Sequence, residues 1–137
     1  MSEPIRIVEV EPGTREEKQF ISLPFTIYRN NPHYVPWFTR QMKNIIARRH
    51  PYFAHSDGEF FIALRNKEPV GRIALLEPRR YNEYHNKRDA RFYFFEAKDD
   101  VEAVKAMFGH AEEWAKARTL DRLAGPQGFS SFTGSGI

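Results

Sequence analysis

Two nearly continuous apolar runs, Phe60 to Leu64 and Val70 to Leu76, stand on either side of a short polar link made of Asn66, Lys67 and Glu68. A strand that alternates apolar and polar residues needs cover on one face only, whereas a strand that is apolar at every position needs it on both. The link is short enough to join the runs as an antiparallel hairpin, with the second of these strands beginning at about residue 69. Helices on both faces of a sheet provide that cover, and this requirement organises the reading of the rest of the chain.

Ile5, Ile7 and Val10, with Arg6 and Glu9 between them, predict a first strand over 5–10, which Pro12 and Gly13 end. Thr14 and Glu17 have the spacing at which a hydroxyl and a carboxylate satisfy free amides at a helix start. A helix over 15–22 is expected there, with Pro24 kinking or restarting it to give two short pieces. Pro36, Trp37, Phe38, Met42, Ile45 and Ile46 mark a further helix at about 36–48. Asp57 and Gly58 signal a turn before the hairpin. The polar stretch 79–89 is expected to be a loop, followed by an aromatic strand over 91–97. Asp99 or Asp100 then caps an amphipathic helix over about 100–118, built on Val101, Val104, Phe108, Ala111 and Ala115. A short strand at 121–124 precedes an irregular tail, 125–137. The fold class is α/β (α+β): one domain over 1–137, order β-α-α-β-β-β-α-β, with a mostly antiparallel sheet between helices.

The chain of 137 residues contains no cysteine, which excludes disulfides, thiolate metal sites and a cysteine nucleophile. Its apolar runs fall short of the ~18 residues that span a bilayer, and Met1 to Pro4 lack a signal-peptide pattern, so no membrane partner and a cytoplasmic location are expected. The five histidines lack ligand spacing, so no metal is expected, and His110 is read as a surface residue. Two basic clusters, one at Lys43, Arg48, Arg49 and His50 and one at Arg79, Arg80, Lys87, Arg88 and Arg91, either attract phosphates or form a solvated face.

Several segments carry a resemblance. The strand, turn and strand ending in "PVGRIA", together with "LPFTIYRNNPHYVPWF" (23–38), "PYFAH" (51–55), "VGRIALLEPRRYNEYH" (70–85), "FYFFEAKDD" (92–100) and "GPQGFSS" (125–131), are similar to the opening part of GNAT-type acyl-CoA N-acyltransferases. They look in particular like the N-terminal part of a larger, poorly characterised bacterial GNAT-like family. The resemblance implies acetyl-CoA or another acyl-CoA as cofactor, a small-molecule amine as acceptor and the rest of a longer chain as partner; a sheet that ends early would also leave an unpaired edge, for which a second copy is the expected partner. The resemblance further implies that Tyr93, Phe94 and Phe95 lie on the strand beside the cofactor's pantetheine, with Glu96 a candidate base; alternatively the aromatics are core on both faces of a central strand and Glu96 is a polar residue at its exposed end. Arg72 is either an anion ligand or a solvent-facing strand residue. Within the loop read at 79–89, Glu83 and His85 are candidates to take a proton from the attacking amine, and Arg79, Arg80, Tyr81 and Tyr84 to hold the substrate. Alternatively that loop caps the sheet, its arginines paired with acids and its tyrosines packed through their rings.

Two departures qualify the resemblance. Acetyl-CoA-binding members carry a glycine-rich Arg/Gln-x-x-Gly-x-Gly/Ala turn ahead of the helix after the fourth strand, because bare amides there bind diphosphate. In this chain the turn reads Glu96, Ala97, Lys98, Asp99, Asp100, Val101, Glu102, with no glycine and four acids. The fold is also expected to stop after its fifth strand. Two functions follow: one part of an N-acyltransferase that is not catalytic alone, or a non-enzymatic binding or assembly module, for RNA or a small anionic ligand, on the same scaffold. Nucleic acid is the less favoured partner, since no RNA-binding signature accompanies the basic and aromatic residues.

Overall fold

In the computed structural model, which describes residues 4–27 and 39–125, the elements run β1 (Ile5–Glu9), α1 (Arg15–Ile27), α2 (Thr39–Ile46), a single 3-10 turn (Pro51–Ala54), β2 (Asp57–Arg65), β3 (Glu68–Glu77), α3 (Arg79–His85), β4 (Asp89–Ala97), α4 (Val101–Ala117) and β5 (Arg122–Ala124). The strands lie in sequence order in one five-stranded sheet. All neighbours are antiparallel except β4 and β5, which are parallel and joined by α4. The expected start of the second helix at 36–38 and most of the expected irregular tail lie outside the described residues.

The doubly apolar hairpin is central, as its composition requires. Phe60, Ile62 and Leu64 of β2, with Ala74 and Leu76 of β3, face α1 and α2, where Phe20, Ile21, Met42, Ile45 and Ile46 cover them. The alternate residues Phe61, Ala63, Ile73 and Leu75 face Met107, Ala111, Trp114 and Ala115 of α4. Arg65 pairs with Glu68 across Asn66 and Lys67, which have φ of 49° and 71°. Two consecutive left-handed residues form the turn whose twist matches that of the flanking strands. Gly71 permits the closest approach of α4, because a Cβ there would lie 2.5 Å from Met107 Cε.

Two helical expectations are corrected. α1 does not break at Pro24 but continues to Ile27. A proline at 24 removes the amide that would bond the carbonyl four residues earlier, Phe20. Arg72 Nη1 of β3 donates to that carbonyl at 2.8 Å, so a side chain from the sheet replaces the missing donor and the helix survives. The segment read as a loop over 79–89 contains α3. Buried Asn82 holds it in place, donating through Nδ2 to the Asp89 carbonyl (3.0 Å) and accepting from the Asp89 amide (3.2 Å). Asn86, with φ 51°, ends the helix in the left-handed conformation. The Thr14 cap holds, its Oγ1 accepting from Glu17 N at 3.3 Å.

Candidate functional site

The sheet changes character along β4. Ala74 is opposite Tyr93 and Arg72 is opposite Glu96, so Phe94 and Phe95 together face Ile73. The extra residue is a β-bulge, and Phe94 takes φ 53° to make it. Tyr93 and Phe94 consequently project to the same face, with ring centroids 4.5 Å apart, and both enter the core under α1 and α2. Phe95 turns to the α4 side, where its ring lies 5.1 Å from that of Phe108. Arg72 is neither solvent-facing nor at the surface: it is buried, over the rings of Phe20 (4.8 Å) and Phe94 (5.6 Å). Burial also pushes the Tyr93 phenol up from its ordinary pKa. Glu96 is half-buried at the far end of the strand. Among the described residues β5 pairs with Asp89, Ala90 and Arg91, and β4 runs on to Ala97.

Beyond Ala97 the chain turns into α4, and its first amides are already engaged. The Asp100 carboxylate caps the helix, accepting from Ala103 N at 3.1 Å and from the Glu102 amide. The Asp100 amide itself donates to the Lys98 carbonyl at 2.6 Å. Arg65, from the end of β2, grips the same carboxylate with Nε at 3.1 Å and Nη2 at 3.0 Å and reaches Glu102 at 2.9 Å. Arg65 therefore holds the Asp100 carboxyl below its usual pKa, with the Ala103 amide adding to the effect. Lys98 pairs with Glu68 at 2.9 Å. A carboxylate suits the positive end of a helix dipole, and in this position it takes the amides that a diphosphate requires.

The α3 residues form a separate group. Tyr81 stacks with His85 at 4.3 Å and beneath the Arg91 guanidinium at 4.2 Å, and Tyr84 meets His85 at 5.0 Å. Arg79 pairs with Glu77 (3.4 Å) and Asp57 (3.8 Å), while Arg80, Glu83 and Tyr84 are exposed. α3 is anchored at Asp89, seven residues before Glu96 along β4, which at ~3.3 Å per residue is about 23 Å. Arg79, Arg80, Tyr81, Glu83, Tyr84 and His85 consequently do not share a site with Arg72, Tyr93, Phe94, Phe95 and Glu96.

Sequence reasoning missed one polar cluster. Arg118, just past α4, donates to Asp57 (2.7 Å), Glu77 (2.9 Å) and Glu59 (2.7 Å) and lies 4.3 Å over the Trp114 ring. Burial raises the Asp57 carboxyl, but the Arg118 hydrogen bond and the Gly58 amide outweigh it and leave the carboxyl below its ordinary pKa. The partners lie 41 to 61 residues from Arg118 in the chain, and only their common placement on the α4 side of the strands, Asp57 and Glu59 at alternate positions, hinted at the cluster. His110, expected at the surface, packs its ring 4.4 Å from Phe61, and that burial lowers its pKa against the opposing pull of Glu59.

Solved acetyltransferases share this architecture. A tandem GNAT protein from the clavulanic acid biosynthesis pathway matches 90% of the chain at a TM-score of 0.69 and 17% identity, over 39% of its own length. An aminoglycoside acetyltransferase from an uncultured soil metagenomic sample, in complex with sisomicin, matches 88% of the chain at 0.64 and 13%, over 75% of its length. The chain has the GNAT acetyltransferase fold. A ribosomal-protein-alanine N-acetyltransferase from Brucella melitensis superposes on the GNAT elements at a TM-score of 0.60 and 13% identity, covering 88% of this chain and 78% of its own. In sequence, the chain is 29% identical over 113 residues to the bacterial ceramide synthase of Caulobacter vibrioides and 27% identical over 109 residues to Escherichia coli protein YghO. These matches cover 81% and 80% of the chain and only 29% and 28% of the relatives. No family model matches the chain. No helix of the described residues is long and apolar enough to cross a membrane.

The GNAT fold implies acyl-CoA. The residues at the start of α4 do not fit its diphosphate: the turn has no glycine, the Asp100, Glu102 and Ala103 amides are taken, and a carboxylate stands at the position of approach.

Proposed function

We propose that this chain supplies one GNAT-fold part of a cytoplasmic N-acyltransferase whose acceptor is an amine, and that this part does not bind the acyl-CoA diphosphate itself. The observation that carries the reading is the closed start of α4, where Asp100 caps the amides and Arg65 holds Asp100. The fold supports the acyltransferase class. The amine is supported by similarity to a ceramide synthase, since a ceramide is the amide of a fatty acid and an amino alcohol. The match to 29% of that relative, and to 39% of a tandem GNAT chain, supports a part acting with further structure.

Among the candidate proton acceptors, Glu96 is the one we assign to this function, because it stands half-buried near the end of β4 that leads into α4, opposite Arg72. We assign Glu83, His85 and the other α3 residues to capping the sheet, with Arg79 paired to Glu77 and Asp57. The same closed helix start favours a second reading, in which the scaffold is a binding or assembly module without chemistry.

Calorimetric titration with acetyl-CoA separates independent catalysis from both readings. No binding heat at millimolar ligand is expected, and micromolar affinity would overturn the proposal. Grafting this chain in place of the matching 113 residues of the Caulobacter relative separates the other two. Retained amide synthesis is expected, and loss of synthesis in a folded chimera would favour the module.

A further inference from the structure

From Lys18 to Ser56 the chain runs 39 residues without one aspartate or glutamate, although 18 acids occur in the whole sequence, and this stretch carries six lysines and arginines. The described part includes α2 and the turn behind it. α2 buries Met42, Ile45 and Ile46 against the sheet and turns Arg40, Gln41 and Lys43 outward. Arg48 is committed to the fold, donating to the carbonyls of Ile46 (2.7 Å) and Gly58 (3.1 Å). Arg40, Lys43 and Arg49 are exposed, and among the described residues no carboxylate lies within ion-pair distance of them. Arg49 reaches only the neutral Asn44 Oδ1, at 3.2 Å. Elsewhere, among the described residues, Arg65 is matched by Asp100 and Glu102, Arg88 by Asp121 and Arg118 by three carboxylates; exposed Arg80 and Lys87 form no ion pair, but they share their segment with Glu83 and Asp89, whereas the α2 stretch has no acid at all. α4, on the opposite face of the sheet, mixes Glu112 and Glu113 with Lys105 and Lys116.

We infer that the outward face of α2, with Arg40, Lys43 and Arg49, is a docking surface for an anionic phospholipid bilayer. The inference rests on the acyltransferase reading only in its meaning, since it would bring the acceptor site to a membrane-resident amine. Two open clefts flank the face, of about 580 Å³ beside Arg40 and Lys43 and about 370 Å³ beside Ile45 and His50, with Asn44 and Arg49 lining both. Open clefts with spread, outward cations suit a plane of headgroups, whereas a site for one small anion concentrates donors in an enclosed space. Single-stranded nucleic acid adds base stacking on aromatic rings, and among the described residues no aromatic ring lines the cleft beside Arg40 and Lys43.

The test is co-sedimentation of the chain with vesicles of phosphatidylcholine alone and of phosphatidylcholine mixed with phosphatidylglycerol. A basic residue near such a surface strengthens partitioning roughly fivefold, so three give about a hundredfold preference for the anionic vesicles, falling steeply with added salt. The triple variant Arg40→Gln, Lys43→Gln, Arg49→Gln is expected to lose that preference with an unchanged circular dichroism spectrum, and Lys43→Gln alone about fivefold of it. The α4 pair Lys105→Gln, Lys116→Gln is expected to keep it. Equal binding to both vesicles, an undiminished triple variant, displacement by millimolar inorganic phosphate, or tighter binding to a single-stranded oligoribonucleotide would each overturn the inference. None of these results depends on acyl transfer, so failure of the docking surface leaves the acyltransferase reading standing.

Discussion

Replacing Arg72 with methionine removes the donor that lets α1 pass through Pro24, and the cost can be worked from the contacts. The Phe20 carbonyl loses its 2.8 Å partner inside the core, a loss of about 1–3 kcal/mol. Guanidinium contacts with the Phe20 and Phe94 rings contribute roughly 1 kcal/mol more. Relief of the desolvated charge works the other way, leaving a net destabilisation of about 2 kcal/mol. At roughly 3–4 °C per kcal/mol for a domain of this size, the melting temperature falls about 7 °C. The decisive step is to repeat the substitution beside Pro24→Ala. That second change restores a backbone amide that can bond the Phe20 carbonyl as in any helix, so Arg72→Met should then cost only about 1 kcal/mol, a coupling of about 1 kcal/mol in a double-mutant cycle measured by urea unfolding. Equal costs in the two backgrounds, within about 0.3 kcal/mol, would refute the claim that Arg72 replaces the amide that proline lacks.

Arg118→Leu leaves Asp57, Glu59 and Glu77 converging without their cation and should cost about 2–3 kcal/mol at neutral pH, between the values for exposed and buried pairs. Because Asp57 has a folded pKa below its ordinary 3.8, that stability is present above 3.8 and is lost as the pH falls through the folded value, so the deficit of the variant in thermal melts should shrink in acid. Asn82→Ala removes both bonds to the Asp89 backbone and should cost about 2 kcal/mol, with faster hydrogen exchange at the Asp89 amide; unchanged exchange would count against α3 being anchored there. His110 has a folded pKa below 6.5, so the unfolded chain takes the proton first and stability declines as pH drops below 6.5. His110→Phe should flatten that part of the urea midpoint against pH, and an unchanged slope would refute the assignment.

The sheet and its layers were legible because they follow from patterns within short stretches of sequence. The doubly apolar hairpin, the aromatic strand ending at Ala97 and the helical spacing from Val101 to Ala115 each state their burial locally. What was hidden depends on contacts between distant residues. Pro24 signals a broken helix until Arg72, 48 positions later, supplies the donor. The 79–85 segment has no apolar periodicity because α3 is held by one buried asparagine and not by an apolar stripe. The acid-rich turn at 96–102 was visible as unsuited to diphosphate. The sequence could not show that Asp100 is the cap, or that an arginine from β2 neutralises it and Glu102.

On the reading proposed above, Asp100 occupies the amides at the start of α4 and so excludes a cofactor diphosphate from this part of the fold. An amide-resolved NMR titration with coenzyme A tests it directly. The Glu102 and Ala103 signals of the unaltered chain should stay in place at millimolar ligand, and those of Asp100→Gly, with the cap gone and Arg65 released, should move. Saturable shifts of the Glu102 and Ala103 amides in the unaltered chain at micromolar coenzyme A would contradict the account.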